Sequence, residues 1–136
     1  MPTVIYQRLE QALLPLANKF YKNQRSNMRV GRSELVWVAS AAKIIAACCL
    51  KPQDHGHWLT ALLVAEPLRQ QGIASALLQT VRRNTAGPIW LFCQPTLAEF
   101  YQSQGFQPAH NLPHALLQRL QRYQQKQSLL AMVSES

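Results

Sequence analysis

One stretch limits the possible folds more than any other part of this sequence. An apolar run ends at residues 62–64, a polar loop with a single glycine covers residues 66–72, and apolar residues then recur at helical spacing from Ile73 to Val81. A short run rich in Leu and Val between turn residues predicts a buried strand. Strand, glycine loop and helix together bind phosphate, because the first N–H groups of a helix have no internal partner and carry partial positive charge. Gly72 would let an anion approach the backbone closely.

The residues of this loop narrow the choice of phosphate ligand. A nucleotide P-loop has a Lys-Ser/Thr pair and a dinucleotide fold has G-x-G-x-x-G, and this loop has neither. The loop reads, in order, Arg69, Gln70, Gln71, Gly72, Ile73 and Ala74. It resembles the Q/R-x-x-G-x-G/A loop of the GNAT N-acyltransferase superfamily, which holds the pyrophosphate of acetyl-CoA. On its own, this short pattern also fits an ordinary turn between a strand and a helix.

A second segment, TLAEFYQSQGF at residues 96–106, resembles a later helix of the same superfamily, which ends in aromatic-Tyr-x-x-x-Gly-Phe. Thr96 and Glu99 have the spacing of a capping box, and Gly105 suits the left-handed residue that ends a helix. The two patterns occur in the order that the family has. Together they identify the chain as a member of the GNAT superfamily.

The resemblance covers residues 34–106 and implies a single-domain α/β fold, with a central mixed, mostly antiparallel sheet flanked by helices. Local patterns predict strands at residues 3–6, 34–40, 43–50, 57–65, 89–93 and 128–133, with a turn at 51–56. Helices are predicted at 73–81 and 96–104, and from the apolar spacing between Ile5 and Phe20. Pro15 lies inside that last span, so it either kinks one helix or starts a second.

The chain departs from the GNAT pattern near its end. Apolar and aromatic residues follow helical spacing within residues 113–125, namely Leu116, Leu117, Leu120 and Tyr123. This spacing predicts an extra helix before the last strand.

Composition limits the class of protein. The chain has 136 residues, 48% of them hydrophobic, and we expect one globular domain over residues 1–136. No apolar run has the length of a membrane span, and the first residues lack the pattern of a signal peptide. The three cysteines (Cys48, Cys49 and Cys93) do not form a disulfide framework, and they fit reduced thiols in a cytoplasmic protein. Fourteen Lys and Arg against six Asp and Glu give a net charge of +8, which favours anionic partners such as coenzyme A.

The resemblance implies transfer of an acetyl group from acetyl-CoA to an amine, with no metal. The pantetheine arm of the co-substrate usually pairs with the central strand, and Gln94 stands where the family often has an Asn that contacts coenzyme A. The residues thereby implied in binding acetyl-CoA are Leu62, Leu63, Val64, Arg69, Gln70, Gln71, Gly72, Ile73, Ala74, Ser75 and Gln94. A homodimer is left open.

The resemblance also implies catalytic residues. Tyr101 matches the family tyrosine that protonates the departing thiolate, although an aromatic residue at helical spacing also fits a role in the core. Some family members carry a glutamate base near the start of the central strand, where this chain has His57 and Trp58. His57 has a suitable intrinsic pKa for a base, and the alternatives are an ordinary loop histidine or a water relay.

A basic stretch leaves other readings open. It contains Lys19, Lys22, Arg25, Arg29 and Arg32, with no acidic residue between Glu10 and Glu34. It is either a solvated surface or an anion site, and in proteins of this fold the region helps to wall the acceptor site, which would favour an acidic acceptor. Two other functions remain: an acyl-CoA-binding module without catalysis, and a basic protein associated with nucleic acid or the ribosome. The last lacks a helix-turn-helix, zinc or aromatic-stacking signature and is disfavoured.

Overall fold

The structure is a computed structural model that describes residues 3–31 and 34–135. Its strands are β1 (Ile5–Arg8), β2 (Leu35–Ala41), β3 (Lys43–Gln53), β4 (Gly56–Val64), β5 (Ile89–Cys93), β6 (Gln107–Pro108) and β7 (Leu130–Ser134). Its α-helices are α1 (Leu14–Asn23), α2 (Ile73–Arg83), α3 (Ala98–Ser103) and α4 (His114–Gln124). Short 3₁₀ turns lie at Gln11–Leu13, Glu66–Leu68 and Pro95–Leu97.

The seven strands form a sheet in the order β1-β2-β3-β4-β5-β7-β6. β4 and β5 run parallel, with His57 opposite Ile89 and Trp58 opposite Trp90, whereas β1–β2, β2–β3, β5–β7 and β6–β7 are antiparallel. The predicted α/β class and mixed, mostly antiparallel sheet are therefore confirmed. The predicted extra helix before the last strand is α4.

The chain divides into two compact units, which are described separately below. The first holds the described residues up to Lys51, together with Leu59–Thr85. The second holds Pro52–Trp58 and the described residues from Ala86 onward. The prediction of one domain over residues 1–136 stays a prediction.

The core of the first unit lies between α1 and the β2–β3 hairpin. Its buried members are Leu9, Ala17, Phe20, Tyr21, Val36, Val38, Ala47 and Cys49. Alternate residues of a strand point to opposite faces, and Trp37 and Ala39 of β2 are also buried, so both faces of this strand are covered. Helix α2 contacts β1 and β2. Burial of apolar area on both faces is the main stabilising term here.

The first helical segment is shorter than its apolar spacing predicts. Ile5 belongs to β1, which pairs with β2, and the strand is shifted from the predicted residues 3–6. Pro15 lies in the first turn of α1, where its missing N–H costs nothing, so the proline starts a helix and does not kink one. The pairing of β1 with β2 therefore outweighs the helical periodicity that Ile5 shares with the residues of α1.

Strand β4 contains a backbone bend. Ala61 has a φ of 59°, in the left-handed region, although its neighbours belong to a strand. The hydroxyl of Tyr21 in α1 donates to the carbonyl oxygen of Ala61 at 2.8 Å. The bend thus lies against the core of the first unit.

The core of the second unit forms around two tryptophans. Trp58 of β4, Trp90 of β5 and the fully buried Leu116 of α4 make up its centre. The guanidinium of Arg119 lies 4.9 Å from the centre of the Trp58 ring, a cation–π contact. Phe92 packs beside Trp58, with ring centres 5.3 Å apart. Helix α4 is therefore held by the sheet core.

The turn between β3 and β4 is tighter than predicted. The sequence places a turn over residues 51–56, but β3 continues to Gln53 and only Asp54 and His55 form the turn. Asp54 supplies a φ of 43°, which its short polar side chain tolerates. Gly56 begins β4 where an added Cβ would come 2.2 Å from the Pro88 carbonyl oxygen, so only glycine fits.

Helix α3 begins differently from the prediction and ends as predicted. Its N-cap is Leu97, with no side-chain cap within the described ranges, so the capping box of Thr96 and Glu99 is wrong. Thr96 instead lies in a 3₁₀ turn that Pro95 opens. At the other end Gly105 has a φ of 95°, its N–H bonds to Gln102, and the Phe106 N–H bonds to Tyr101. This pair of bonds is a Schellman motif.

Among the residues that the structure describes, no helix is both long and apolar enough to cross a membrane.

Candidate functional site

The loop of residues 69–74 is built around an open helix N-terminus. Gly72 is the N-cap of α2 with a φ of 81°, and no side chain in the described part of the chain caps this end. A Cβ placed on Gly72 would meet nothing within 4 Å. A glycine is therefore not required at this position to avoid a clash with other atoms of the protein. The space beside Gly72 is open, and the first N–H groups of a helix have no partner within the helix, which together suit an anion.

Three residues before Gly72 shape this loop. The Nε of Arg69 donates to the Val64 carbonyl at 3.0 Å, so the arginine ties the loop to the end of β4. Gln70 has a φ of 64°, and Gln71 donates through Nε2 to the Pro67 carbonyl at 3.4 Å. Gln70 and Gly72 are both left-handed, so the chain turns sharply before α2 starts.

The loop is also fixed to the core of the first unit. The Ala65 N–H donates to the Ile45 carbonyl at 2.8 Å, and the Glu66 N–H donates to Oε1 of Gln24 at 3.3 Å. Ile73, at the start of α2, is buried. The loop is therefore held at both ends, while Gly72 between them stays exposed.

The three residues predicted to meet the pantetheine arm follow the bend at Ala61. Leu62 and Leu63 are half-buried, and Val64 is buried. Leu63 packs against the core of the first unit. These three residues, Arg69 and the start of α2 all belong to that unit. The prediction that they bind acetyl-CoA stays a prediction.

Tyr101 belongs to the second unit and is buried in α3. Its ring packs edge-on against Phe100 and Phe106, with ring centres 5.1 and 5.9 Å apart. The ring thus fills the core role that the sequence left as an alternative, and the hydroxyl at its tip remains the candidate acid.

His57 and Gln94 also belong to the second unit. The backbone N–H of His57 donates to the Pro88 carbonyl at 3.0 Å. Its ring atom Nδ1 is buried, with no hydrogen-bond partner among residues 3–31 and 34–135. A buried nitrogen of this kind needs a partner, such as a water or a ligand group. Gln94 is exposed at the start of a 3₁₀ turn, and its carbonyl accepts the Leu97 N–H at 2.9 Å.

The basic stretch continues from the exposed side of α1. Lys19, Lys22, Arg25 and Arg29 are all exposed, and none has an ion-pair partner in the described residues. Arg32 lies outside those residues.

The three cysteines have the role of core residues. Cys48, Cys49 and Cys93 are free and buried. Burial raises the pKa of the Cys49 thiol to about 11 and raises the pKa of Cys93 as well, which disfavours the thiolate that a nucleophile needs. Cys93 packs its sulfur 3.6 Å from that of Met132. In the described ranges, no three His, Cys, Asp or Glu residues are grouped to hold a metal ion.

Sequence reasoning missed a cavity of about 550 Å³ in the second unit. It lies between α3, the segment 108–112, α4 and β7, and residues such as Gln102, Leu117 and Ala131 line it. None of the predicted site residues is among the lining residues. The apolar spacing of α4 signalled the helix but not the space beside it.

The sequence also identifies the family. The profile of the Acetyltransferase (GNAT) domain matches residues 32–108, which is more than half of the chain. The chain therefore belongs to the GNAT acetyltransferase family and is an acyltransferase. The predicted co-substrate, acetyl-CoA, is that of the GNAT acetyltransferase family. A comparison with curated protein sequences gave no match.

Solved structures with the same fold include proteins bound to coenzyme A. N-acetylglutamate synthase from Neisseria gonorrhoeae, complexed with coenzyme A and N-acetyl-glutamate, has a TM-score of 0.68 and 14% identity over 99% of this chain. This chain spans only 35% of that enzyme's length. Rv2747 from Mycobacterium tuberculosis, in complex with coenzyme A, has a TM-score of 0.67 and 14% identity, covering 97% of this chain and 99% of the other.

A third similar structure is the ribosomal-protein-S18-alanine N-acetyltransferase from Escherichia coli. It has a TM-score of 0.66 and 17% identity, and the match covers 98% of this chain and 94% of the other. Identities this low show the shared fold, and the predicted GNAT architecture is thereby confirmed.

Proposed function

We propose that this protein transfers an acetyl group from acetyl-CoA to an amine by direct attack of the amine on the thioester. The observation that carries the proposal is the loop at Gly72, where a left-handed N-cap opens α2 onto free space. A pyrophosphate needs backbone N–H groups, partial positive charge and room for close approach, and a loop of this kind offers all three.

Each residue of the loop has a role in this proposal. The N–H groups of Ile73 and Ala74 donate to the pyrophosphate, and Ser75 completes the first turn of α2. Gln70 and Gln71 shape the backbone before Gly72. The anchoring of Arg69 to Val64 keeps its positive charge beside the loop.

Two further contacts with the co-substrate complete its binding. The backbone of Leu62, Leu63 and Val64 pairs with the amides of the pantetheine arm, as an added strand does. Gln94 donates to coenzyme A through its side-chain amide, in the place of the asparagine that the family often has.

The chemistry requires two proton movements. Acetyl-CoA supplies an activated acyl group, and an uncharged amine must attack it. We assign the base to His57, because its buried Nδ1 lacks a partner in the described chain and a neutral imidazole nitrogen can accept a proton. As the carbon–sulfur bond breaks, the sulfur takes a proton, and we assign that proton to the Tyr101 hydroxyl. The products are an amide and free coenzyme A.

The charge of α1 favours an acceptor that carries an acidic group. Gln24 accepts the N–H of Glu66 at 3.3 Å, so the end of α1 lies against the start of the coenzyme A loop. Lys22 and Arg25 flank Gln24, and both are exposed. A carboxylate beside the amine would find favourable potential there. The likeness to N-acetylglutamate synthase concerns the fold alone, so the preference for an acidic acceptor is inferred from the charges of this chain.

Tyr101→Phe tests the assignment of the acid. We expect kcat to fall about 10²-fold, the scale of general acid catalysis, with a smaller change in KM for acetyl-CoA. An amine library read by mass spectrometry identifies the acceptor, and release of free coenzyme A then gives the rates. Tyr123→Phe in α4 is the matched control, since that side chain is exposed. A folded Tyr101→Phe protein with wild-type kcat would contradict the assignment.

Charge reversal tests the acceptor. Lys22→Glu together with Arg25→Glu should raise KM for the acceptor about tenfold and leave KM for acetyl-CoA nearly unchanged. The control reverses Arg122 and Lys126 in the second unit, which keeps the same change in net charge. Equal effects on both substrates, or a similar effect in the control, would show that the α1 charges are only solvated.

A further inference from the structure

We infer that Tyr21 is a positioning residue for the acyl-CoA site, because its hydroxyl holds β4 in the bend at Ala61 from which Leu62, Leu63 and Val64 follow. The inference rests on the proposed role of these three residues in binding the pantetheine arm. Tyr21 itself is in α1 and fully buried, so it acts through β4 and does not touch the substrates.

The hydrogen bonds of Tyr21 define its task. Its hydroxyl proton goes to the Ala61 carbonyl oxygen at 2.8 Å, because a carbonyl cannot donate. The sulfur of Cys49 lies 3.7 Å from the same hydroxyl oxygen, and its S–H is therefore the donor in that contact. Burial raises the pKa of Tyr21, so the hydroxyl stays a donor at physiological pH. A tyrosine used only for its ring would not need two polar partners for its hydroxyl.

The bend needs a stabilising contact because its residue is an alanine. A left-handed conformation brings the Cβ of an L-residue too close to the carbonyl oxygen, and only glycine avoids this cost. Ala61 nevertheless has a φ of 59°. Without the Tyr21 hydroxyl, the partly buried carbonyl of Ala61 would also lose a hydrogen bond. The Tyr21 hydroxyl satisfies that carbonyl only while β4 keeps the bend.

The bend sets the direction of the backbone N–H and carbonyl groups in the residues that follow it. One left-handed residue interrupts the alternation of a strand, so it resets which way each following N–H and carbonyl group points. The far end of the segment is fixed separately, because Arg69 donates to the Val64 carbonyl and the Ala65 N–H donates to Ile45. Residues 62–64 are thus held between two anchored ends, one of which is Tyr21.

The test combines Tyr21→Phe and Ala61→Gly in a double-mutant cycle, with binding of coenzyme A measured by calorimetry. Tyr21→Phe alone should weaken binding about 3- to 10-fold, the effect of one partly buried hydrogen bond. Glycine adopts the left-handed conformation without the Cβ cost, so in the Ala61→Gly background the loss should shrink to less than twofold. Wild-type affinity in Tyr21→Phe, or an undiminished loss in the double variant, would overturn the inference.

Phe20→Leu separates positioning from a general loss of stability. It removes buried volume from the same helix and the same core without removing a hydrogen bond. At equal loss of melting temperature, Tyr21→Phe should weaken coenzyme A binding and Phe20→Leu should not. If binding falls in parallel with stability in both variants, Tyr21 is a core residue only.

Amide hydrogen exchange tests whether Tyr21 holds the bend without any measurement of binding. Tyr21→Phe should raise the exchange rates at residues 62–64 at least tenfold relative to wild type, and Phe20→Leu should raise them less. Unchanged rates at these residues would overturn the structural role of Tyr21. If wild-type protein binds no coenzyme A, the proposed function fails, and the exchange rates still report whether Tyr21 holds the bend.

Discussion

Two residues of the first unit have the same backbone conformation for opposite reasons. Gly72 has a φ of 81° and stands exposed before α2, where an added side chain would meet nothing. Ala61 has a φ of 59° inside a strand, where the hydroxyl of Tyr21 bonds its carbonyl. At Gly72 the residue type alone permits the conformation. At Ala61 a contact from a distant helix imposes it on a residue that disfavours it.

This difference shows where the functional backbone depends on local sequence and where it depends on packing. The loop at Gly72 should tolerate changes in the core but not changes of charge at its own surface. The bend at Ala61 should tolerate surface changes but not changes in the core behind it. Three predictions test this division.

The largest expected effect is at the loop. Gly72→Asp should weaken coenzyme A binding about 100-fold or more, because a carboxylate would stand where the pyrophosphate binds. The melting temperature should fall by only a few degrees, because the side chain enters open space and the remaining cost is the backbone strain of a non-glycine residue at a φ of 81°. Calorimetry measures the affinity, and Gly72→Asn is the control with the same shape and no charge. If Asn and Asp weaken binding equally, charge at the loop is not what matters.

Alkaline pH should lower the stability of the core of the first unit, which packs against the bend. Burial raises the pKa of Cys49 from its usual 9.0 to about 11, so the folded state keeps its proton where the unfolded state loses it. This stability is complete below pH 9 and is lost as the pH rises to 11, by about 2–3 kcal/mol. Denaturant unfolding of wild type and Cys49→Ala across this range measures the difference. Parallel curves for the two proteins would contradict the prediction.

The smallest effect concerns the bend residue itself. Ala61→Val should lower the free energy of unfolding by about 2 kcal/mol, because a β-branched residue is strained at positive φ. Ala61→Gly should stay within about 1 kcal/mol of wild type, since relief of strain offsets the added freedom of the unfolded chain. Urea unfolding gives both values. A larger loss for glycine than for valine would mean that Ala61 is not under backbone strain.

The same division explains what the sequence predicts. The strand, glycine turn and helix around Gly72 are predicted correctly, because each signal lies within a few residues of the next, from Val64 to Val81. The bend at Ala61 has no such signal: alanine fits a regular strand, and its partner Tyr21 is far away in the sequence. Local periodicity therefore could not predict the bend.

The wrong predictions have a related cause. Thr96 and Glu99 have the spacing of a capping box, but Pro95 opens a 3₁₀ turn and moves the helix start to Ala98. Ile5 fits a helical period, but pairing with β2 makes it part of a strand. In both cases a few neighbouring residues favour one local structure, but an adjacent turn or a paired strand imposes another.

Helix α4 has an evolutionary consequence. It departs from the usual GNAT pattern, yet Leu116 is fully buried against Trp58 and Trp90, and Arg119 covers the Trp58 ring. A lineage that has acquired such a helix can no longer discard it easily, because its loss would leave two large indole rings of the sheet in water. We therefore expect natural variants to change these tryptophans and the buried face of α4 together, while the exposed face of the helix varies freely.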